Sequence, residues 1–319
     1  MRAAVYDRYG GPIEIRDVPM PEPKAGEVLV RVRAASVNSW DWDQFAGTVQ
    51  GRIGGPFRPR NRILGGDMAG VIARLGEGVS SLAVGDRVAG DISEHGWGGF
   101  GEYVAVPATA LVMVPEGVGF EGAAAVPQAG TLALQALRQR RPVQPGEHIL
   151  INGAGGGVGS FAIQLAKRMG ATVTAVDHGS KLELMRSIGA DHVMDYERED
   201  FTASGAHYDR IVDPVARRPM AHYRRALTAD GTLVVIGGRV PALIAVGLAS
   251  LGNKPEGQNL GLLIWRPIPA EVAELLELMA SSAIRSVVDQ VYPLEETGEA
   301  LRRVGEGKSL GKVVVRVAG

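Results

Sequence analysis

The sequence predicts an α/β protein, in which a parallel β-sheet with helices on both faces follows a smaller β-rich region. Three observations lead to this prediction. Apolar and polar residues alternate in short runs through the N-terminal third, strand and helix patterns alternate from Gly122 onwards, and a glycine-rich turn over 154–159 joins an apolar strand to an amphipathic helix. A period of two indicates strands with one buried face, and alternating strands and helices are typical of a parallel sheet.

Composition limits the class of protein. At 319 residues the chain exceeds what one hydrophobic core usually supports, so we expect two domains. A formal net charge of -1 provides no basic field for nucleic acid or for an anionic membrane, and we expect neither as a partner. The absence of cysteine excludes disulfides, cysteine nucleophiles and thiolate-bound zinc.

The sequence also predicts a location. The first residues, MRAAVYDRYGG, lack the charged-then-apolar pattern of a secretion signal. The most apolar long stretch, 240–251, contains Pro241 and is too short to span a bilayer. We therefore expect a cytoplasmic protein.

The N-terminal region is predicted to be a series of strands. Val28, Val30 and Val32 share one face of a strand that follows a proline-rich turn. The stretch 40–62, rich in Gly, Arg and Pro, is interpreted as an irregular loop. Further predicted strands are 3–6, 13–17, 68–75, 87–90 and 102–106.

The second part of the chain begins with a small-residue-rich helix and then alternates. The predicted elements are helix 123–138, strand 149–151, strand 172–176, helix 181–188, strand 192–194, strand 210–213, helix 220–227 and strand 232–236. From Gly238 to Pro269 the pattern is apolar and loop-like. The tail, with helix 270–279, strand 287–291, helix 294–304 and strand 312–317, does not extend the alternation, so we expect it to return to the first domain.

The segment 148–177 has the pattern of a dinucleotide-binding βαβ unit. A pyrophosphate must lie close to the backbone, where N–H groups and the helix dipole stabilise it and side chains would obstruct it. The glycines and the start of the following helix are therefore predicted to bind the cofactor; these residues are Gly155, Gly156, Gly157 and Val158, with Gly159 allowing the helix to pack on the strand. Ala154 stands where the strict pattern begins with glycine.

Several segments, in order, resemble one protein family. They are EVLVRVRAASVNSWDW (27–42), ILGGDMAGVIARLGEGV (63–79), GDRV (85–88), GGFGEYVAVP (98–107), AAAVPQAGTLALQAL (123–137), INGAGGGVG (151–159), SIGADHVMDY (187–196) and GKVVVRV (311–317). The chain resembles the zinc-independent medium-chain dehydrogenases/reductases of the quinone oxidoreductase type. The resemblance implies a GroES-like β-barrel domain over 1–121, a Rossmann NAD(P)-binding domain over 122–268, a return to the first domain over 269–319, and an active site in the interdomain cleft.

The sequence departs from the zinc-dependent branch of that family. Asn38 stands where those enzymes carry a zinc-ligand cysteine, and Gly65, Gly66 and Asp67 stand where they carry a Gly-His-Glu string. The histidines show no short metal-ligand spacing; they are His95, His148, His178, His192, His207 and His222. We therefore assign no metal ligand.

Without a metal, the expected reaction is hydride transfer from a reduced nicotinamide to an electrophilic acceptor, either a quinone or an α,β-unsaturated carbonyl compound. By resemblance Asn38 and Asp41 line the site, where Asn38 can donate a hydrogen bond to a developing oxyanion. Asp41 has an equally strong alternative as a turn-capping carboxylate. Thr131 matches a family threonine near the nicotinamide, with a helix N-cap as the alternative. Trp40 and Trp42 are candidates to stack on a flat acceptor or to belong to the core.

The remaining cofactor contacts are predicted from strand ends. Asp213 and Gly237 follow two parallel strands at the edge where nucleotides bind. Lys312 is a candidate to close the nicotinamide end, and its alternative is a solvated lysine at the start of a strand.

Residues at the end of the motif predict opposite cofactors. Asp177 favours NAD, because an acidic group there binds the ribose hydroxyls and repels the additional phosphate of NADP. Lys181 and Tyr196 fall where NADP-using relatives place contacts to that phosphate. The family resemblance tips our expectation towards NADPH, with NADH as the alternative.

Two other functions stay open. One is a zinc-independent alcohol or aldehyde oxidoreductase, and the other is a non-catalytic NAD(P)H-binding sensor. The resemblance also implies a homodimer, and the apolar stretch 240–251 offers a surface for it.

Overall fold

The computed structural model describes residues 1–53, 55–252 and 257–317. These residues form two compact units. The first takes the described residues of Met1–Thr131 and Pro267–Gly319, and the second is Leu132–Arg266. The C-terminal tail therefore shares its unit with the N-terminal region, and the chain passes from the first unit to the second between Thr131 and Leu132.

The described residues contain the following strands and helices. In chain order the strands are β1 (Arg2–Val5), β2 (Glu14–Asp17), β3 (Glu27–Val37), β4 (Asp67–Leu75), β5 (Arg87–Asp91), β6 (Tyr103–Pro107), β7 (Val112–Met113), β8 (His148–Asn152), β9 (Thr172–Asp177), β10 (His192–Asp195), β11 (Tyr208–Asp213), β12 (Leu227–Val235), β13 (Asn259–Leu262), β14 (Val288–Pro293) and β15 (Lys312–Arg316). The helices are α1 (Ser39–Ala46), α2 (Phe120–Ala124), α3 (Pro127–Arg138), α4 (Gly157–Arg168), α5 (Leu182–Ser187), α6 (Met220–Ala226), α7 (Val240–Ser250), α8 (Pro269–Ala280) and α9 (Thr297–Gly305).

The first unit is built around the long strand β3. Its sheet has the order β14-β15-β3-β4-β5-β7, β6 also pairs with β3, and β1 and β2 form a separate two-stranded sheet. The register of β3 against β4 shifts at two places, so β3 bends and can pair with β6, β4 and β15 along its length. The valines of β3 that alternate in sequence, Val28, Val30 and Val32, are fully buried in the core of this unit.

The second unit is the predicted parallel sheet. Its order is β10-β9-β8-β11-β12-β13, and every neighbouring pair is parallel. The strand order reverses between β8 and β11, which is where open parallel sheets bind nucleotides. The predicted α/β fold class is confirmed.

A buried arginine supports helix α3 from this sheet. The guanidinium of Arg210, on β11, donates to the carbonyl oxygens of Ala136 at 2.7 Å, Gln139 at 3.1 Å and Arg141 at 2.9 Å. These carbonyls lie at and just beyond the C-terminal end of α3, where backbone acceptors lack helical partners. Burial lowers the pKa of Arg210 to about 10, a value at which the side chain is still charged near neutral pH.

The structure corrects the interpretation of three segments. The stretch after Gly238 is not loop-like, because it contains α7 and β13. Pro241 is accommodated in the first turn of α7, where its missing N–H has no helical partner to lose, and the helix lacks the one-sided apolar stripe by which helices are recognised. The single helix predicted over 123–138 is divided into α2 and α3 before Pro127, and the stretch 40–62 begins with α1. In the described part of the chain, no helix is long and apolar enough to span a membrane.

Candidate active site

The glycine-rich turn connects β8 to the N-terminus of α4, with Gly156 as the residue that precedes the helix. A Cβ atom on Gly159 would lie 2.4 Å from the Cα of Ala154 and 2.5 Å from the carbonyl oxygen of Gly153, so only glycine allows α4 to pack on the turn. A Cβ on Gly155 would lie 2.7 Å from Cδ of Lys181. The turn therefore presents bare backbone at a helix N-terminus beside the strand-order reversal, an arrangement that fits a pyrophosphate group.

Asp177 and Lys181 lie directly behind this turn. Asp177 ends β9, and its Oδ2 accepts the N–H of Gly155 at 2.9 Å while its Oδ1 accepts the N–H of His178 at 2.8 Å. The ammonium of Lys181 lies 3.4 Å from Oδ1 of Asp177, and both side chains are buried. The two residues that predicted opposite cofactors are therefore an ion pair. Tyr196 lies next to them: its N–H donates to the carbonyl oxygen of Asp177, and its side chain is half exposed.

Asp213 is fully buried at the end of β11. Its carboxylate accepts hydrogen bonds from Nδ2 of Asn152, from the hydroxyl of Tyr223 at 2.6 Å and from the N–H of Val215 at 2.9 Å. Both oxygens thus already have partners, so in this structure Asp213 connects the ends of β8 and β11. Gly237 lies beside the same turn, since a Cβ there would be 2.9 Å from the carbonyl oxygen of Pro214.

In the first unit, a buried polar cluster surrounds the N-terminus of α1. Asn38 follows β3 directly and precedes the first residue of α1, and its side chain is buried. Lys312, which opens β15, donates from its ammonium to Oδ1 of Asn38 and to the carbonyl oxygen of Val37 at 3.4 Å. The carboxamide Nδ2 of Asn38 donates to Oδ2 of Asp67 at 2.9 Å. Lys312 is almost fully buried, so its alternative interpretation as a solvated lysine is wrong.

Asp67 is the centre of this cluster. The backbone N–H of Gln128, in the first turn of α3, lies 3.2 Å and 3.1 Å from its two carboxylate oxygens, and the hydroxyl of Ser36 lies 3.3 Å from Oδ2. The ammonium of Lys312 is 3.9 Å from Oδ2. Asp91 lies directly opposite Asp67 in the register of β4 and β5. Burial raises the pKa of both carboxyl groups, and the charge of Asp91 adds to the rise at Asp67.

Asp41 is fully buried and binds backbone rather than facing outward. Its Oδ2 accepts the N–H of Asn38 at 2.7 Å, and its Oδ1 accepts the N–H groups of Gly65 at 3.0 Å and Gly66 at 3.2 Å. Burial raises the pKa of Asp41 to about 6, although these N–H groups oppose the rise. The contacts correspond to the turn-capping interpretation of Asp41, and they join α1 to the segment before β4.

The other predicted residues of this unit have structural contacts. Thr131 is buried inside α3 and donates to the carbonyl oxygen of Pro127 at 2.6 Å, so it is not an N-cap. The ring of Trp40 lies 6.5 Å from that of Trp97, and the ring of Trp42 lies 5.8 Å from that of Phe45. Both tryptophans pack against the core of the first unit.

Sequence reasoning missed the roles of Asp67, Asp91 and Gln128. Asp67 and Asp91 could have been found from an antiparallel pairing of the predicted strands 68–75 and 87–90. That pairing places Asp67, just before the first strand, opposite Asp91, just after the second. Within residues 1–53, 55–252 and 257–317, no group of three or more His, Cys, Asp or Glu side chains is arranged to hold a metal ion.

Comparison with known proteins identifies the family. Residues 24–116 match the alcohol dehydrogenase GroES-like domain, and residues 188–315 match the zinc-binding dehydrogenase family. The chain is 32% identical over 331 residues to the chloroplast envelope quinone oxidoreductase homolog of Arabidopsis thaliana, covering 99% of this chain and 98% of that protein. It is 31% identical over 330 residues to the chloroplastic NADPH-dependent alkenal/one oxidoreductase of the same plant, covering 99% of this chain and 79% of that protein.

Among solved structures, the Escherichia coli quinone oxidoreductase complexed with NADPH is similar over 99% of this chain and 100% of that chain, with a TM-score of 0.84 and 26% identity. The chain therefore belongs to the medium-chain dehydrogenase/reductase family, among its quinone oxidoreductase-like members.

Proposed function

We propose that this protein is an NAD(P)H-dependent reductase of quinones or of α,β-unsaturated carbonyl compounds. The observation that carries the proposal is the Asn38 carboxamide, which is buried and bonded at both ends, by Lys312 at Oδ1 and by Asp67 at Nδ2. The bare glycine turn at the N-terminus of α4 supports the nucleotide part of the proposal. Relatives with quinone and alkenal/one reductase names support the substrate class.

The protein groups have separate tasks in this reaction. A bound nicotinamide supplies the hydride. The N–H groups in the first turn of α4, which begins at Gly157, are placed to bind the pyrophosphate, because N–H groups at a helix N-terminus attract an anion. The N–H groups of Gly155 and Gly156 bond Asp177 and Gly153 instead, and these two glycines let the pyrophosphate approach because they lack side chains. Asn38 Nδ2 has a second hydrogen, for which the described residues provide no acceptor. This N–H can donate to the acceptor oxygen as it gains negative charge, and a donor already fixed in place needs no reorganisation during the reaction.

We propose that no zinc takes part. Lys312 supports this, because its ammonium is in contact with Asn38 and lies 3.9 Å from Asp67, the positions that correspond to zinc ligands and their neighbours in the zinc-dependent branch. A buried positive charge at this distance would repel a divalent cation.

NADPH is the proposed preferred cofactor. The ion pair of Lys181 with Asp177 offsets the carboxylate charge that would otherwise repel a 2′-phosphate. Tyr196 and His178 lie next to this pair, with ring centroids 6.1 Å apart, and offer a polar surface for the adenosine end of the cofactor.

We further propose a homodimer formed through the second unit. Helix α7 exposes apolar side chains, with Ile244 exposed to 58% and Leu248 to 64%. Strand β13, which follows α7 in the chain, is the last strand in the order of the sheet and pairs with β12. Sedimentation of wild type and of Ile244→Asp with Leu248→Asp tests this proposal: the wild type should sediment as a dimer and the variant as a monomer.

The proposed reaction is tested with a panel of quinones, enones, alcohols and aldehydes, assayed with NADH and with NADPH. We expect oxidation of the reduced cofactor with quinones or enones, little turnover of alcohols, and no loss of activity after treatment with a chelator. Turnover confined to alcohols would favour the alcohol oxidoreductase. Tight NADPH binding without any turnover would favour a sensor.

A further inference from the structure

We propose that Asp67 and Lys312 are positioning residues that fix the orientation of the Asn38 carboxamide, with Asp67 ionised and a proton held on Asp91. The proposal rests on the proposed function, because the task of Asn38 towards the acceptor oxygen belongs to it.

Charge fixes which end of the carboxamide faces which neighbour. An ammonium can only donate, so Lys312 requires the carbonyl oxygen of Asn38, and an ionised Asp67 can only accept, so it requires the NH2 group. The flipped amide would place NH2 against an ammonium and a carbonyl oxygen against a carboxylate. In a buried site both contacts are strongly unfavourable. One orientation is therefore selected, and it leaves one N–H of Asn38 for a ligand.

Hydrogen-bond donors indicate which carboxyl group is charged. Asp67 accepts from Ser36, Asn38 and Gln128, an environment that favours an ionised carboxylate. Asp91 accepts the N–H of Ser93 at Oδ1, and the side chains of Ser93 and Gln128 also bond its carboxyl group, whereas its buried Oδ2 has no hydrogen-bond partner in the described part of the chain. The proton of the pair is therefore assigned to Asp91.

The charges around the pair require this proton. Asp91 on β5 and Lys312 on β15 act electrostatically on Asp67, and Glu94 acts on Asp91. The ammonium of Lys312 also interacts with Asp41 on α1 and with Asp91. If all were ionised, the three buried carboxylates would be opposed by a single buried ammonium. Two neighbouring carboxyls in such a site share a proton, and their titration belongs to the pair.

The main test separates positioning from stability. We expect Asp67→Asn and Lys312→Met each to lower kcat by roughly 100-fold, comparable to the loss of an oxyanion donor. Each should also lower the free energy of unfolding, because it leaves the other charge buried without its partner. The KM for NADPH should stay near the wild-type value. The control is Asp230→Asn, which removes an exposed carboxylate of the second unit. It should change neither kcat nor the free energy of unfolding.

The double variant Asp67→Asn with Lys312→Met decides between the two roles. Removing both charges should restore much of the stability, since neither charge is then left unpaired. It does not restore the orientation of Asn38, so kcat should stay low. Recovery of kcat together with stability would overturn the proposal, because it would show that the pair acts only on the fold.

Asp91→Asn tests the position of the proton. An amide imitates a neutral carboxyl group, so at pH 7 this variant should lose much less kcat than Asp67→Asn. It should also lack the fall in kcat that loss of the Asp91 proton causes in the wild type at alkaline pH. Equal losses in the two variants, or a larger loss in Asp91→Asn, would overturn the assignment.

A readout independent of turnover is the side-chain amide of Asn38 in ¹⁵N-resolved NMR, assigned by its disappearance in Asn38→Asp. The chemical shifts of its two protons should differ widely in the wild type, because one proton is hydrogen-bonded to Asp67. In Asp67→Asn the two chemical shifts should become more similar. Unchanged resonances would overturn the positioning role. If the wild type reduces no acceptor but these resonances move as expected, the proposed function fails while the orientation of Asn38 stands.

Discussion

The ammonium of Lys181 lies 3.4 Å from Oδ1 of Asp177, whose other oxygen accepts the N–H of Gly155 in the glycine turn. Removing the positive charge leaves the carboxylate to repel a 2′-phosphate. We expect Lys181→Met to raise the KM for NADPH by about tenfold or more, the effect of one lost charge-assisted contact, with little change for NADH. Lys308→Met is the control, since Lys308 pairs with Glu306 on the surface. Equal rises for both cofactors would contradict the expected selectivity.

Gly159 is predicted to tolerate no side chain. In Gly159→Ala the added Cβ would overlap the backbone of Ala154 and Gly153, so the turn must move. We expect a loss of about 1–3 kcal/mol in the free energy of unfolding, as in overpacked sites, and much weaker binding of NADPH. Urea unfolding and fluorescence titration measure the two effects.

The matched control for Gly159 is Gly247→Ala in α7, where a Cβ meets nothing within 4 Å. Alanine in an unobstructed helical position stabilises by about 0.5–1 kcal/mol. Opposite signs for the two substitutions are therefore expected. A destabilisation of the same size in both would show that steric overlap is not the cause.

Asn38→Ala removes the proposed donor to the acceptor oxygen. We expect kcat to fall by about 100-fold while the dissociation constant for NADPH, measured by fluorescence, stays unchanged. Ser39→Ala alters the adjacent, exposed residue and should leave both values near wild type. Unchanged turnover in Asn38→Ala would remove Asn38 from the active site.

Local patterns were sufficient for much of the fold. The glycine turn and the apolar runs around it predicted β8, α4 and β9, because their spacing follows from the geometry of neighbouring residues. Helix α7 was missed because its apolar residues surround the helix, so the local sequence shows no helical period. The sequence predicted which residues are apolar there but not the secondary structure that they adopt.

The candidate site was harder to predict because its contacts are not local. Lys312 and Asn38 are separated by 274 positions, and they meet only because β15 pairs with β3. Asp67 and Asp91 meet through the register of two strands. A resemblance could indicate Asn38, but the neighbours that hold its carboxamide depend on sheet topology.

The pair of Asp67 and Asp91 also predicts how stability depends on pH. Burial raises the pKa of both groups in the folded protein above the ordinary value of 3.8. Above pH 4 the unfolded chain releases a proton that the folded pair retains, so the free energy of unfolding falls as pH rises until the folded pair ionises fully. The stabilisation by this proton is thus complete below the unfolded pKa and is lost as pH rises towards the folded one.

Asp91→Asn removes one of the two interacting charges, so the pair no longer retains a shared proton. The free energy of unfolding of this variant should therefore fall less steeply with pH, and its stability relative to wild type should increase between pH 5 and pH 8, by at most about 1.4 kcal/mol per pH unit for one proton. Asp41, whose pKa is raised to about 6, titrates in the same range, but it is present in both proteins and largely cancels in the difference. Urea unfolding at several pH values measures this difference. A stability difference between variant and wild type that is constant from pH 5 to pH 8 would show that the two carboxyl groups do not share a proton. Only a proton retained by the pair makes the free energy of unfolding depend differently on pH in the two proteins.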